Sequence, residues 1–259
     1  MKSNYRYIVK AFMAMAVIAG TTSCDDFLDR EPMSSISPET YYSTAAQLEA
    51  NLNDEYPNVL PSFGQWTYGI FGEDKGTDNQ IEVNANDRYT QDRWKVPHSE
   101  SDNWKFERIY RINFFLSEAL PKFGEDMSGS QNTISGSVAT IKHYIGEMYF
   151  LRAYEYFKKL QLFGDFPIIN QPLADEMEAL REASKRFPRN EVARFIISDL
   201  DKAYAYMSDV DMATTRINKD VAMLVKSRVA LFEATWLQNF KGTAFVPGGE
   251  DRKSTRLNS

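Results

Sequence analysis

The stretch EMYFLRAYEYFKKLQLFGDFPII, Glu147–Ile169, decides how this chain is read. Its first part continues a helical run that opens at Ser137, and Gly164 and Pro167 follow directly on Phe163. Glycine can close a helix in a positive-φ conformation that other residues resist. Asp165 can hydrogen-bond the backbone of the turn, and Pro167 prevents the helix from resuming. The stretch therefore predicts a long helix over Ser137–Phe163 that ends in a fold-defining corner. Gly164, Asp165 and Pro167 are read as structural residues of that corner.

Helical spacing recurs on both sides. Towards the N-terminus, Ser37-Pro38 precedes a helix predicted from about Thr44 to Leu60, and Ser99–Phe123 places Ile109, Ile112, Leu116 and Leu120 on one side. Trp104 then falls on a helix and is expected in the core, as is Trp236 on the last helix. Towards the C-terminus, Pro188 and Asn190 signal a helix over Arg189–Met207, and Asn218 caps another to Phe240. Strand-like alternation is scarce. The predicted architecture is mainly α, with helical pairs of tetratricopeptide-like packing joined by long irregular loops. No 34-residue self-similarity accompanies it.

Composition fits a globular protein: 43% hydrophobic, 14% aromatic and 25% charged residues in 259. Net charge is −6, and residues 1–23 contribute Lys2, Arg6 and Lys10 with no acid, so their removal takes it to −9. A nucleic-acid partner needs a basic stripe, and this balance argues against one. The single cysteine excludes an intramolecular disulfide.

That cysteine, Cys24, follows a basic n-region and the apolar run Ala11–Ala19. The run is too short to span a membrane, which takes about 20 apolar residues, and it fits a secretory signal over 1–23. Thr21, Thr22 and Ser23 before Cys24 resemble a bacterial lipobox, with Thr21 in place of the usual Leu-like residue. In that motif the thiol is acylated and the cleaved chain begins at the cysteine, and several acyl chains give stable anchoring where one is marginal. Asp25 and Asp26 resemble the acidic export signal of surface lipoproteins in the Bacteroidota, and also read simply as a charged tether. The expected location is the outer membrane, lipid-anchored through a palmitate-type chain and facing outward.

Pro61–Pro97 lacks clean periodicity and is rich in aromatics, which suggests a long ordered loop. Trp66, Tyr68, Phe71 and Trp94 are interleaved with Gln65, Asp74, Asp78, Asn79 and Gln80. Sugar rings stack apolar C–H faces on flat aromatics while their hydroxyls pair with such polar groups. The candidate ligand-binding residues are accordingly Trp66, Tyr68, Asp74, Asp78, Asn79 and Trp94. The other reading of the same aromatics is a small core beneath the loop.

Three stretches in order, CDDFLDREP with SSIS, EMYFLRAYEYFKKLQLFGDFPII, and RNEVARFIISDLDKAY followed by RINKDVAMLVKSRVALFEATW, resemble the SusD/RagB family of outer-membrane nutrient-binding lipoproteins. The resemblance covers roughly residues 24–240. It implies a non-catalytic binding protein that captures an oligosaccharide, or another nutrient such as a peptide, and delivers it to a SusC-like TonB-dependent transporter. Family members are considerably longer, so 24–250 is read as the N-terminal helical region with its C-terminal part missing. The last nine residues, DRKSTRLNS (251–259), match the translation of a common DNA-sequencing adapter and are expected to be non-native. Helix faces that the missing part would cover are then expected to be exposed.

Catalytic signals are few. His98 and His143 are the only histidines and belong to no HExxH pattern, and no GxSxG elbow or phosphate loop occurs. The run EDKGTDNQ is oxygen-rich, but its acids are not at EF-hand positions. No cofactor and no metal site is expected. The rival functions are a surface glycan-degrading enzyme, whose carboxylate pair no motif places, and a helical scaffold for protein partners.

Overall fold

Thr44, Ser137 and Asn218 each direct a side-chain oxygen at the first turn of a helix, and three of the six helices among the described residues begin there. The amides of a first turn have no intrahelical acceptor, so such oxygens fix where a helix starts. Thr44 does so reciprocally: its hydroxyl accepts from the Gln47 amide, and the Gln47 side chain accepts from the Thr44 amide at 3.1 Å.

The computed structural model describes residues 41–61, 103–124, 126–208, 215–243 and 245–246. They form α1 (Ala45–Val59), α2 (Glu107–Phe123), α3 (Val138–Phe163), α4 (Met177–Ala183), α5 (Arg189–Tyr206) and α6 (Lys219–Asn239). Among the described residues the only extended pairings are isolated bridges, Thr44 with Ser135, Phe166 with Phe187 and Lys241 with Val246. The architecture is mainly α, as the sequence predicts. The described residues from Tyr42 onward belong to one compact unit.

The long helix α3 is its axis. Met148, Phe150, Leu151, Tyr156 and Leu160 are buried on successive faces, the signature of a helix enclosed on all sides. It packs against α1, α2 and α5, with a smaller contact to α6. Helix α5 lies between α3 and α6, burying Val192, Ile196, Leu200 and Ala203. At one crossing the approach is very close: a Cβ on Gly146 would lie 2.8 Å from the Met207 backbone nitrogen. Only glycine permits that spacing.

Helix α2 starts later than helical spacing suggests, at Glu107 and not near Ser99. Trp104 therefore precedes the helix, and it is half-buried instead of lying in the core. Its ring packs edge-on to Phe163 and Phe166 at 4.9 and 4.8 Å, and the Arg186 guanidinium covers it at 4.7 Å. Packing of the ring against the corner after α3 accounts for the non-helical entry. Trp236 is also half-buried, tilted against Phe240 at 4.4 Å and under Arg189 at 4.0 Å. The short α4 buries none of its residues, which explains why no periodicity announces it.

Candidate functional site

The corner after α3 is built as a clasp. Gly164 closes the helix with φ +69°, in the region that favours glycine, and its amide bonds the Leu160 carbonyl. Phe166 and Phe187 then exchange two backbone hydrogen bonds of 3.1 and 3.0 Å, closing off the excursion that carries α4. Pro188, the residue that caps α5, offers no side-chain oxygen. Asp165 supplies one from 24 residues away, accepting the Arg189 amide at 2.7 Å. It thus bonds the start of the next helix, where the sequence suggested the backbone of its own turn. Pro167 is buried immediately beyond.

Below the corner lies a buried polar cluster. Arg152 donates from Nε and Nη2 to the two oxygens of Asp199, at 2.6 and 2.9 Å. Its Nη1 donates to Asn113 Oδ1 and to the Asn170 carbonyl. Asn113 in turn donates to the Ile169 carbonyl, and the Tyr156 hydroxyl both donates to that carbonyl and accepts the Ile169 amide. Burial pushes the hydroxyls of Tyr149, beside Arg152, and Tyr156 up, that of Tyr149 to about 12. Each guanidinium nitrogen of Arg152 is engaged inside the protein, so the cluster locks the chain after the corner.

A second cluster joins α1 and α3 with Ser208, Arg216 and Ile217. Ser208 donates its amide to His143 Nδ1, so His143 Nε2 carries the proton and faces the Ile217 carbonyl and Glu147, each at 3.0 Å. Glu147 also accepts Arg216 through both oxygens, and Arg216 extends to Asn53 on α1. The Tyr56 hydroxyl accepts the Ile217 amide, and burial with neighbouring Glu147 raises its titration well above the usual range. His143 is buried with both nitrogens occupied, a satisfied core histidine. Among the described residues no group of three His, Cys, Asp or Glu side chains is arranged to hold a metal.

The candidate ligand-binding residues Trp66, Tyr68, Asp74, Asp78, Asn79 and Trp94, with Phe71, Gln65 and Gln80, lie outside the described residues, as does Cys24. What the structure does describe is the pair of attachment points on either side of them. Adjacent lysines on α3 tie both: Lys158 Nζ donates to the Val59 carbonyl at 2.9 Å, and Lys159 Nζ to the Asn103 carbonyl at 2.7 Å. Glu155, buried one turn earlier, pairs with both lysines. Both attachment points are therefore held by the same turn of the axial helix.

Sequence reasoning missed Arg152, Asp199, Glu147, Arg216 and the Glu155 trio. A faint signal was available, since Glu147, Arg152 and Glu155 interrupt the most apolar of the described helices. Charged residues within such a run are rarely buried unless paired.

Comparison with known proteins gives the geometry a context. Residues 26–231 match a SusD-like family described as starch-binding and associating with the outer membrane. SusD-like protein P2 of Formosa agariphila is 25% identical over 97% of this chain and 48% of its own length. SusD-like protein P25 of the same organism is 25% identical over 83% and 41%. The chain thus spans about half the length of the curated relatives it matches. Among solved structures, a SusD-like protein from Bacteroides fragilis aligns with 80% of this chain and 38% of its own, at a TM-score of 0.50 and 18% identity. A SusD-like carbohydrate-binding protein from the same species aligns with 76% and 39%, also at 0.50 and 18%. With its helices stacked on one axial helix and its long family match, this chain belongs to the SusD-like family.

Proposed function

We propose that the protein containing this chain is a lipid-anchored, non-catalytic glycan-binding protein of the outer membrane. The family match over residues 26–231, to proteins described as starch-binding and outer-membrane-associated, is the observation that carries the reading. The curated relatives and a solved relative described as carbohydrate-binding agree with it. In this reading Cys24 is the acylated residue, residues 1–23 are removed, and residues 251–259 are not native. Trp66, Tyr68, Asp74, Asp78, Asn79 and Trp94 present the sugar-binding surface, with aromatic faces for the rings and carboxylates and amides for the hydroxyls. The captured oligosaccharide passes to a SusC-like TonB-dependent transporter that the lipoprotein covers.

The test is titration calorimetry of the protein read from its complete gene against a panel of oligosaccharides. Trp66→Ala with Trp94→Ala is expected to weaken binding at least tenfold, about 1.4 kcal/mol, with an unchanged melting transition. Unchanged affinity in the double variant removes the site assignment; absence of binding to every glycan, or release of cleaved product, removes the function. Cys24→Ser is expected to move the protein from the membrane to the soluble fraction, and co-purification checks the transporter.

A further inference from the structure

Helix α6 buries Ala222, Val229 and Glu233 against its neighbours and leaves the opposite face open. From Met223 to Gln238 the one exposed charged residue is Arg228, at helical spacing from Leu224 and Leu231. Leu224 and Leu231, 70% and 66% exposed, run along the open face one above the other, with Met223, Ser227, Ala230 and Ala234 beside them. The outward face of a surface helix ordinarily carries its charged residues. A stripe of large side chains flanked by small ones is instead the relief that another helix packs into.

The stacking order indicates the occupant. Helix α5 covers α3, and α6 covers α5, but no described element covers α6. The chain's own tail beyond Val246, PGGEDRKSTRLNS, has Leu257 as its sole large apolar side chain and cannot supply a matching face. The curated relatives, in contrast, run to about twice this length. We propose that the outer face of α6 seats a helix from the part of the family fold that lies beyond this chain's span. On this view α6 is an interior helix of the complete protein, and Leu224 and Leu231 are core residues whose partners are absent here.

The test reads the native gene past codon 250 and expresses its full reading frame beside the 259-residue chain. Both carry Leu224→Cys or Leu231→Cys in a Cys24→Ser background, with Glu178→Cys on exposed α4 as control, and thiol modification rates are measured. In the 259-residue chain all three positions are expected to react alike. In the longer protein positions 224 and 231 are expected to slow about tenfold or more against the control. Hydrogen exchange over 221–238 in the unsubstituted proteins gives the same readout without any change of side chain.

Equal rates and equal exchange in the two proteins overturn the proposal, as does a reading frame that supplies no further helical sequence. A face that closes by self-association would show protection in the 259-residue chain that rises with protein concentration in sedimentation runs. It would show no further gain in the longer protein, and that result too overturns the proposal. Glycan binding plays no part in any of these measurements, so the outcome shares with the proposed function only the reading of residues 251–259 as non-native.

Discussion

Replacing Arg152 by methionine keeps most of the side chain's length and removes its charge, which isolates the contribution of the buried cluster below the corner. Arg152 is 3% exposed and Asp199 is fully buried. The substitution strands the Asp199 carboxylate without its two charge-assisted bonds, and leaves Asn113 Oδ1 and the Asn170 carbonyl without the Nη1 donor. An unpaired buried charge costs about 3–5 kcal/mol. Lys202 lies 3.8 Å from Asp199 and is half-exposed, so it recovers only a small part. The expected loss is therefore about 3 kcal/mol or more, a large fraction of the stability of an ordinary domain. Urea unfolding followed by far-UV circular dichroism measures it. Asp199→Leu alone should cost a similar amount, and the double variant should cost much less than the sum, because the stranded charge is then gone. Additive losses, or a loss below about 1 kcal/mol for Arg152→Met, would refute the view that this pair is a coupled, desolvated unit.

Gly146→Ala should destabilise the protein by about 1–3 kcal/mol despite the better helix propensity of alanine, because the new Cβ meets backbone atoms of Ala203 and Met207 within 2.9 Å. A stabilised variant in the same urea assay would mean that α3 and α5 are less closely apposed. Asp165→Ala should cost about 1 kcal/mol by removing the acceptor at the start of α5, while Asp165→Asn should retain most of it. Equal losses for the two would rule out the capping role. Burial raises the Glu55 carboxyl above its ordinary 4.5, against the pull of Arg111 and Arg108. The folded state then holds this proton more tightly than the unfolded chain, so this contribution to stability is greatest at low pH and declines as pH rises above 4.5 through the folded value. Glu55→Gln should flatten that part of the stability profile, measured as unfolding midpoint against pH; an unchanged slope would assign it to other groups.

The sequence alone determined five of the six described helices and most of their ends, because the signals for both are local. Helix periodicity is read within a few turns, and Thr44, Ser137, Gly164, Pro188 and Asn218 act on residues next to them. The family resemblance was legible for the same reason: its motifs are runs of core-facing residues closed by a corner. The late start of α2 was not legible, since Trp104 follows the contacts of its ring with Phe163 and Phe166, about sixty residues further along the chain. Nor did the pattern show that Arg152 would meet Asp199, that Arg216 would meet Glu147, or that Lys158 and Lys159 would hold the two attachment points beside the aromatic segment. Such pairings join residues from 47 to 99 positions apart, and their energy depends on desolvation, which exists only once the helices have stacked. The open face of α6 belongs to the same class: its leucines look like any other core leucines until the stacked helices leave them uncovered.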